Sequence, residues 1–118
     1  LSDAEWTLTT RAGSKVEHQR LQTLEQAIAE LERRVGELQS DATREEIRFM
    51  SRRIEPARQV AARLEIAGRS SRGRSVRGGV DLRGDGSVEA FTGRVRRTVV
   101  EQAPGESAGD ALARALAT

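Results

Sequence analysis

Apolar and polar positions alternate singly at the start of this chain. Trp6, Leu8 and Thr10 take turns with polar neighbours in "EWTLTT", and Val16, His18 and Arg20 take turns with others in "KVEHQRL". A period of two is the signature of a strand with its faces in different surroundings. Ala12-Gly13-Ser14 between the runs supplies a turn, so a hairpin is expected. The period then lengthens. Leu24, Ile28, Leu31, Val35 and Leu38 follow at spacings of 4, 3, 4 and 3, one stripe of a helix. Thr23 suits its N-cap, and Gln26 three residues on completes a capping box. The same spacing would also serve as a coiled-coil seam of about two heptads. The stripe therefore has two readings, a core-facing helix or one that also pairs with another chain.

A second helix is expected over residues 43–54. Thr43 and Glu46 spell another capping box, Ile47, Met50 and Ile54 share a face, and Pro56 ends it. A strand through Ile47 and Phe49 is the alternative. Period two returns in "RQVAARLEIAG", where Val60, Ala62, Leu64 and Ile66 alternate with Ala61, Arg63 and Glu65, and continues through Val76, Val80 and Leu82. Asp85-Gly86 is a type I′ turn signal. "SVEAFTGRVRRTVVEQ" then reads as one long strand, with Phe91, Val95 and Val99 on one face, Phe91 in the core and Gly93 at a bulge or bend. A last helix follows, with Ala108, Ala111, Leu112, Ala115 and Leu116 inward. The order β-β-α-(α)-β-β-β-α predicts an α+β fold, an antiparallel sheet of about five strands with helices on one face. The length of 118 residues suits a single domain over 1–118. "RAGSKVE" and "RGDGSVE" both fall at hairpin turns, an echo that hints at a duplicated ββα unit.

Composition narrows the chemistry. With no cysteine there is neither a disulfide framework nor a thiolate metal site. No run of 18 apolar residues occurs, and "LSDAEWTLTT" has neither a basic nor an apolar leader segment, so a cytoplasmic protein with no membrane partner is expected. The basic residues are 19 Arg and one Lys, Lys15, and the net charge is only +2. The charge is uneven, however. Residues 69–97 hold eight Arg against Asp81, Asp85 and Glu89, which leaves room for an anionic partner.

"GESAG" at 105–109 resembles the serine-nucleophile motif of carboxylesterases. The resemblance covers five residues and implies a nucleophilic Ser107. That chemistry needs a histidine after the serine and a large, mostly parallel sheet. No histidine follows Ser107, and His18 is the only one in the chain. An N-cap explains the letters better, with Asp110 three residues on as an acidic capping-box partner. "RGD" at 83–85 spells the integrin ligand but also a tight hairpin turn. "DLRGDG" fails as an EF-hand loop, because Arg83 stands at its third position and Thr92 at its twelfth. His18 has no second histidine to complete a metal site. Glu30/Glu32 and Glu45/Glu46 do not face one another on a helix. Gly73 to Gly78 has the phosphate-loop gap, but Gly79 stands where lysine is required.

"GRSSRGRSVRGG", residues 68–79, carries the remaining signal. It holds Arg69, Arg72, Arg74 and Arg77, no acid, and glycine and serine that make it read as a flexible loop. Arg94, Arg96 and Arg97 fall on a strand expected to pair nearby. Guanidinium groups bind phosphate bidentately, so these seven arginines are candidate contacts to a nucleic-acid backbone. "VRGG" is similar to RGG-type RNA-binding segments, in a single copy. The reading from sequence is a small non-enzymatic binding protein without cofactor, an accessory factor contacting nucleic acid or a nucleoprotein. The alternative is a protein–protein adaptor or homo-oligomer built through the 24–38 helix or a sheet edge.

Overall fold

Six antiparallel strands and two helices make up the computed structural model, which describes residues 5–40, 60–70, 72–93 and 96–117. The strands are β1 (Trp6–Ala12), β2 (Lys15–Leu21), β3 (Val60–Arg69), β4 (Ser75–Arg83), β5 (Val88–Thr92) and β6 (Thr98–Val100). The helices are α1 (Leu24–Ser40) and α2 (Ala108–Leu116). The sheet order is β2-β1-β3-β4-β5-β6. The α+β class holds, with one strand more than expected. The expected helix at 43–54 lies outside the described residues.

The extra strand comes from "SVEAFTGRVRRTVVEQ", which is a hairpin and not one long strand. Gly93 takes φ +103°, and a Cβ there would lie 2.2 Å from the Arg96 carbonyl, so only glycine lets the chain reverse. Phe91 and Val99 do share a face, but as cross-strand partners. The β4–β5 turn is not type I′. Gly86 N–H donates to the Arg83 carbonyl at 2.9 Å and Arg83 N–H to the Ser87 carbonyl at 2.8 Å, with positive φ at Gly86 but not Gly84. This is a type I turn closed by a glycine bulge. The β3–β4 turn repeats it, with Gly73 N–H donating to Ser70 and Ser70 N–H to Arg74. The β1–β2 connection, Gly13-Ser14, has only two residues. The two echoing segments thus close different turns.

Strand parity divides the sheet. Trp6, Leu8, Thr10, Ala62, Leu64, Ile66, Val76, Val80, Leu82, Val88 and Ala90 lie on the helix side, in register across the strands. Ala27, Ile28, Leu31 and Val35 of α1 and Ala108, Leu112 and Leu116 of α2 fill the space against them. The 24–38 stripe thus faces the chain's own core, with Leu24 and Leu38 partly buried at its ends. α1 packs over β1, β2 and β3, and α2 over β4, β5 and β6. Trp6 reaches the sheet because Gly68 has no side chain; a Cβ there would sit 2.4 Å from the indole. Thr23 caps α1 through Gln26 N–H at 3.0 Å, while the Gln26 amide oxygen accepts from Gln22 N–H, one residue before the cap, at 3.1 Å.

At α2 the capping box is complete. Ser107 Oγ accepts from Asp110 N–H at 3.0 Å, and Asp110 Oδ2 accepts from Ser107 N–H at 3.2 Å. Ser107 Oγ also donates to Glu32 Oε2 of α1 at 2.9 Å, so the cap ties the two helices together. Glu106 forms a second tie, accepting from Arg114 Nε at 3.0 Å and from Ala103 N–H at 2.8 Å. The Arg114 guanidinium, and after it the Ala103 amide, holds the Glu106 carboxyl down from 4.5 to about 2.

Ser107→Ala removes one cap acceptor and the donor to Glu32, and should cost about 1–2 kcal/mol in urea unfolding. Loss of a hydrolytic activity with stability unchanged would instead restore the nucleophile reading. Because Glu106 is more acidic folded than unfolded, it stabilises the fold above its ordinary value of 4.5, and that stabilisation fades as pH falls toward about 2. Glu106→Gln should therefore flatten the stability–pH curve between those limits, measured as unfolding midpoints across an acid series.

Candidate functional site: the open face of the sheet

The face away from the helices is covered by side chains of the other parity. One cross-strand row runs His18, Thr9, Glu65, Gly79, Phe91 and Val99. A second runs Val16, Arg11, Arg63, Asp81 and Glu89. A third runs Arg20, Thr7, Ala67 and Arg77, with the Arg77 carbonyl accepting from Gly93 N–H at 2.9 Å.

The middle of this face is a compensated network around an aromatic ring. Phe91 is buried at 3% exposure, as expected, but on the open face and outside the cluster that packs under the helices. Its cross-strand partner is Gly79, where a Cβ would come within 2.2 Å of the Leu64 carbonyl. Two guanidinium groups cover the ring. Arg63 Cζ lies 5.6 Å from its centroid and Arg97 Cζ lies 5.0 Å from it, both within cation–π range. Arg63 is held bidentately by Asp81, at 2.6 Å and 3.1 Å, and this bond is the main cause of its raised pKa. Glu65 faces Arg97 at 3.7 Å and Arg11 at 3.9 Å. Arg83 pairs with Glu89 at 2.6 Å.

The end of the face reached by the third row is different. Arg20, Arg69 and Arg77 border an open depression of about 780 Å³. Thr7 and Ala67 lie between Arg20 and Arg77 in register, and Glu5 is the acidic residue at the rim. None of the three arginines has an ion-pair partner among the described residues. Arg69 donates to the Gly73 carbonyl at 3.1 Å. Arg69 and Arg77 are diagonal neighbours across β3 and β4, a backbone spacing of roughly 7–8 Å within reach of long side chains. Arg72 and Arg74 lie in the adjoining β3–β4 turn and are exposed. Six arginines without an acid partner among the described residues, counting exposed Arg96, stand in contrast to the paired Arg11, Arg63, Arg83 and Arg97.

The structure thus divides the seven arginines picked from the sequence. Arg69 and Arg77 are strand residues, and Arg72 and Arg74 belong to a turn ordered by Ser70, whose Oγ accepts from both their N–H groups at 3.3 Å. The segment 68–79 is therefore mostly strand, not the flexible loop expected. Arg96 and Arg97 lie in the β5–β6 connection and not on a strand, and Arg94 lies outside the described residues. Arg97 is engaged with Phe91 and Glu65. Arg20, Thr7 and Arg63 were missed. Strand parity would have placed all three on one face, but nothing local in the sequence shows which strands adjoin.

His18, hydrogen-bonded to Thr9 at 3.0 Å, lies on the same face, and no three His, Cys, Asp or Glu side chains among the described residues gather as a metal site would. No family model matches the chain, and no curated protein or solved structure matches it.

Gly79→Ala should be severely destabilising, because its Cβ meets backbone and not a side chain that can move. A loss of more than about 2 kcal/mol is expected in chemical unfolding. Gly36→Ala on α1, with nothing within 4 Å, should instead gain about 0.5–1 kcal/mol.

Proposed function

We propose that this chain is a non-enzymatic binding protein that contacts the phosphate backbone of nucleic acid, alone or within a nucleoprotein, through the basic end of its open sheet face. The observation that carries the reading is the contrast between the two parts of that face. In the middle, every arginine faces a carboxylate, with Arg11 and Arg97 sharing Glu65. Around the depression, Arg20, Arg69 and Arg77 have none among the described residues, and two of them are close like-charged neighbours. Mutual repulsion on a rigid sheet is a standing cost, and a bound phosphate relieves it. Each guanidinium can take a phosphate bidentately. Arg72, Arg74 and Arg96 extend the basic surface past the sheet end. Ser107 is occupied as a cap and His18 sits with Thr9, so neither supplies an activated nucleophile.

A second reading, a protein–protein contact, is favoured by β2. It is an edge strand exposed from Lys15 to Arg20, with Val16 at 47% exposure. Under that reading the protein sediments as an oligomer, and a charged residue at Val16 makes it a monomer.

The nucleic-acid reading predicts binding to oligonucleotides tighter than about 10⁻⁴ M at physiological salt. The triple variant Arg20→Ser, Arg69→Ser and Arg77→Ser should fold normally and bind more weakly irrespective of sequence. Its log K against log salt should be flatter by about two units on a single strand and nearly three on a duplex, for three lost phosphate contacts. Fluorescence anisotropy through a salt titration measures both. Unchanged affinity and slope in the variant would show that these arginines are not the contact.

A further inference from the structure

The basic depression does not end at bare charge; it adjoins a guanidinium layered on an aromatic ring. Arg97 precedes β6, whose first residue, Thr98, pairs with Thr92 of β5, so it lies alongside Gly93 at the border of the depression. Its guanidinium covers Phe91 at 5.0 Å from the ring centroid. Glu65 faces the same guanidinium at 3.7 Å, and the side chain remains 36% exposed. The guanidinium thus has the ring on one side, shares the Glu65 carboxylate with Arg11, and remains partly open to solvent. An arginine in that setting has little to offer a phosphate, but a guanidinium plane is a surface on which an unpaired base stacks.

We propose that the open face is selective for single-stranded nucleic acid: phosphates lie against Arg20, Arg69 and Arg77, and an unpaired base stacks on the outer side of Arg97, supported from beneath by Phe91. This rests on the backbone-binding reading above and adds the class of strand. A duplex keeps its bases stacked on one another and offers none to Arg97, so it gains only the phosphate contacts. Phe91 therefore has a purpose beyond covering Gly79. It gives Arg97 a fixed backing that holds the guanidinium where a base can meet it.

The test compares a single-stranded oligonucleotide with an abasic strand of equal length and charge, by fluorescence anisotropy at one salt concentration. Wild type should prefer the strand with bases, on the order of tenfold. Arg97→Lys keeps the positive charge beside Glu65 but removes the plane, and should reduce that preference to near unity. Phe91→Leu, which removes the ring and keeps an apolar side chain, should reduce it likewise if its circular dichroism matches wild type. Equal binding of the two strands by wild type would overturn the stacking proposal while leaving the phosphate reading intact. A preference undiminished in Arg97→Lys would also overturn it. Failure to bind either strand would remove the phosphate reading, and the stacking proposal with it.

Discussion

The pairing of β3 with β4 determines where every other side chain of this protein goes. Leu64 sits opposite Val80 and Glu65 opposite Gly79, so one step along the strands exchanges an apolar pair under the helices for a pair on the open face. The backbones come so close at Gly79 that no side chain is accommodated there. A slip of β3 by one residue against β4 would place Arg63 and Glu65 under the helices and Leu64 and Ile66 in water, a loss that no local adjustment repairs. β1 and β5 take their register from this pair. Both helices settle on the apolar side, and the charged rows assemble on the other.

Magnitudes separate what holds the fold from what is available for binding. Each Leu, Ile or Val moved from water into the layer between sheet and helices contributes about 1.5–3 kcal/mol. An exposed ion pair such as Arg83–Glu89 contributes about 0–1 kcal/mol. The acids of the open face therefore do more to set its charge pattern than to hold the sheet together. Asp81, Glu65 and Glu89 neutralise the middle of the face and leave its far end basic. Asp81 is the best placed of them, nearly buried and gripping Arg63 through both oxygens.

Alternation along β1, β3 and β4 and the 3-4 spacing of α1 are local signals, and those strands, that helix and its Thr23 cap all formed. The Ser107 cap was legible in full, down to its Asp110 partner. The long strand after Ser87 was not, because its reversal depends on positive φ at Gly93, and a glycine in a strand marks a bulge as readily as a turn. The burial of Phe91 was legible, but its side of the sheet was not. Alternation puts it on one face with Val99, and which face the helices cover is settled only by the pairing of β5 with β4. The candidate site was half legible. Arg69 and Arg77 stood out as part of a local cluster, whereas Arg20 joins them only because β1 sits between β2 and β3, a choice of neighbours made over some forty residues of chain.

That position of β1 also shapes how the molecule comes into being. The first strand of the described chain is not at an edge of the sheet but inside it, flanked by β2 at once and by β3 only after α1 and the segment to residue 59 have been made. During synthesis the β1–β2 hairpin emerges with one edge unpaired and Trp6 and Leu8 uncovered, and it waits for β3 to arrive. The β3–β4–β5–β6 meander, in contrast, closes strand by strand as it emerges. The β1–β3 pairing thus closes the longest chain separation between neighbouring strands of this sheet, the kind of contact whose loop-closure entropy slows folding. Until that join is made, the open edge of β1 is the place where another copy of the chain can pair wrongly.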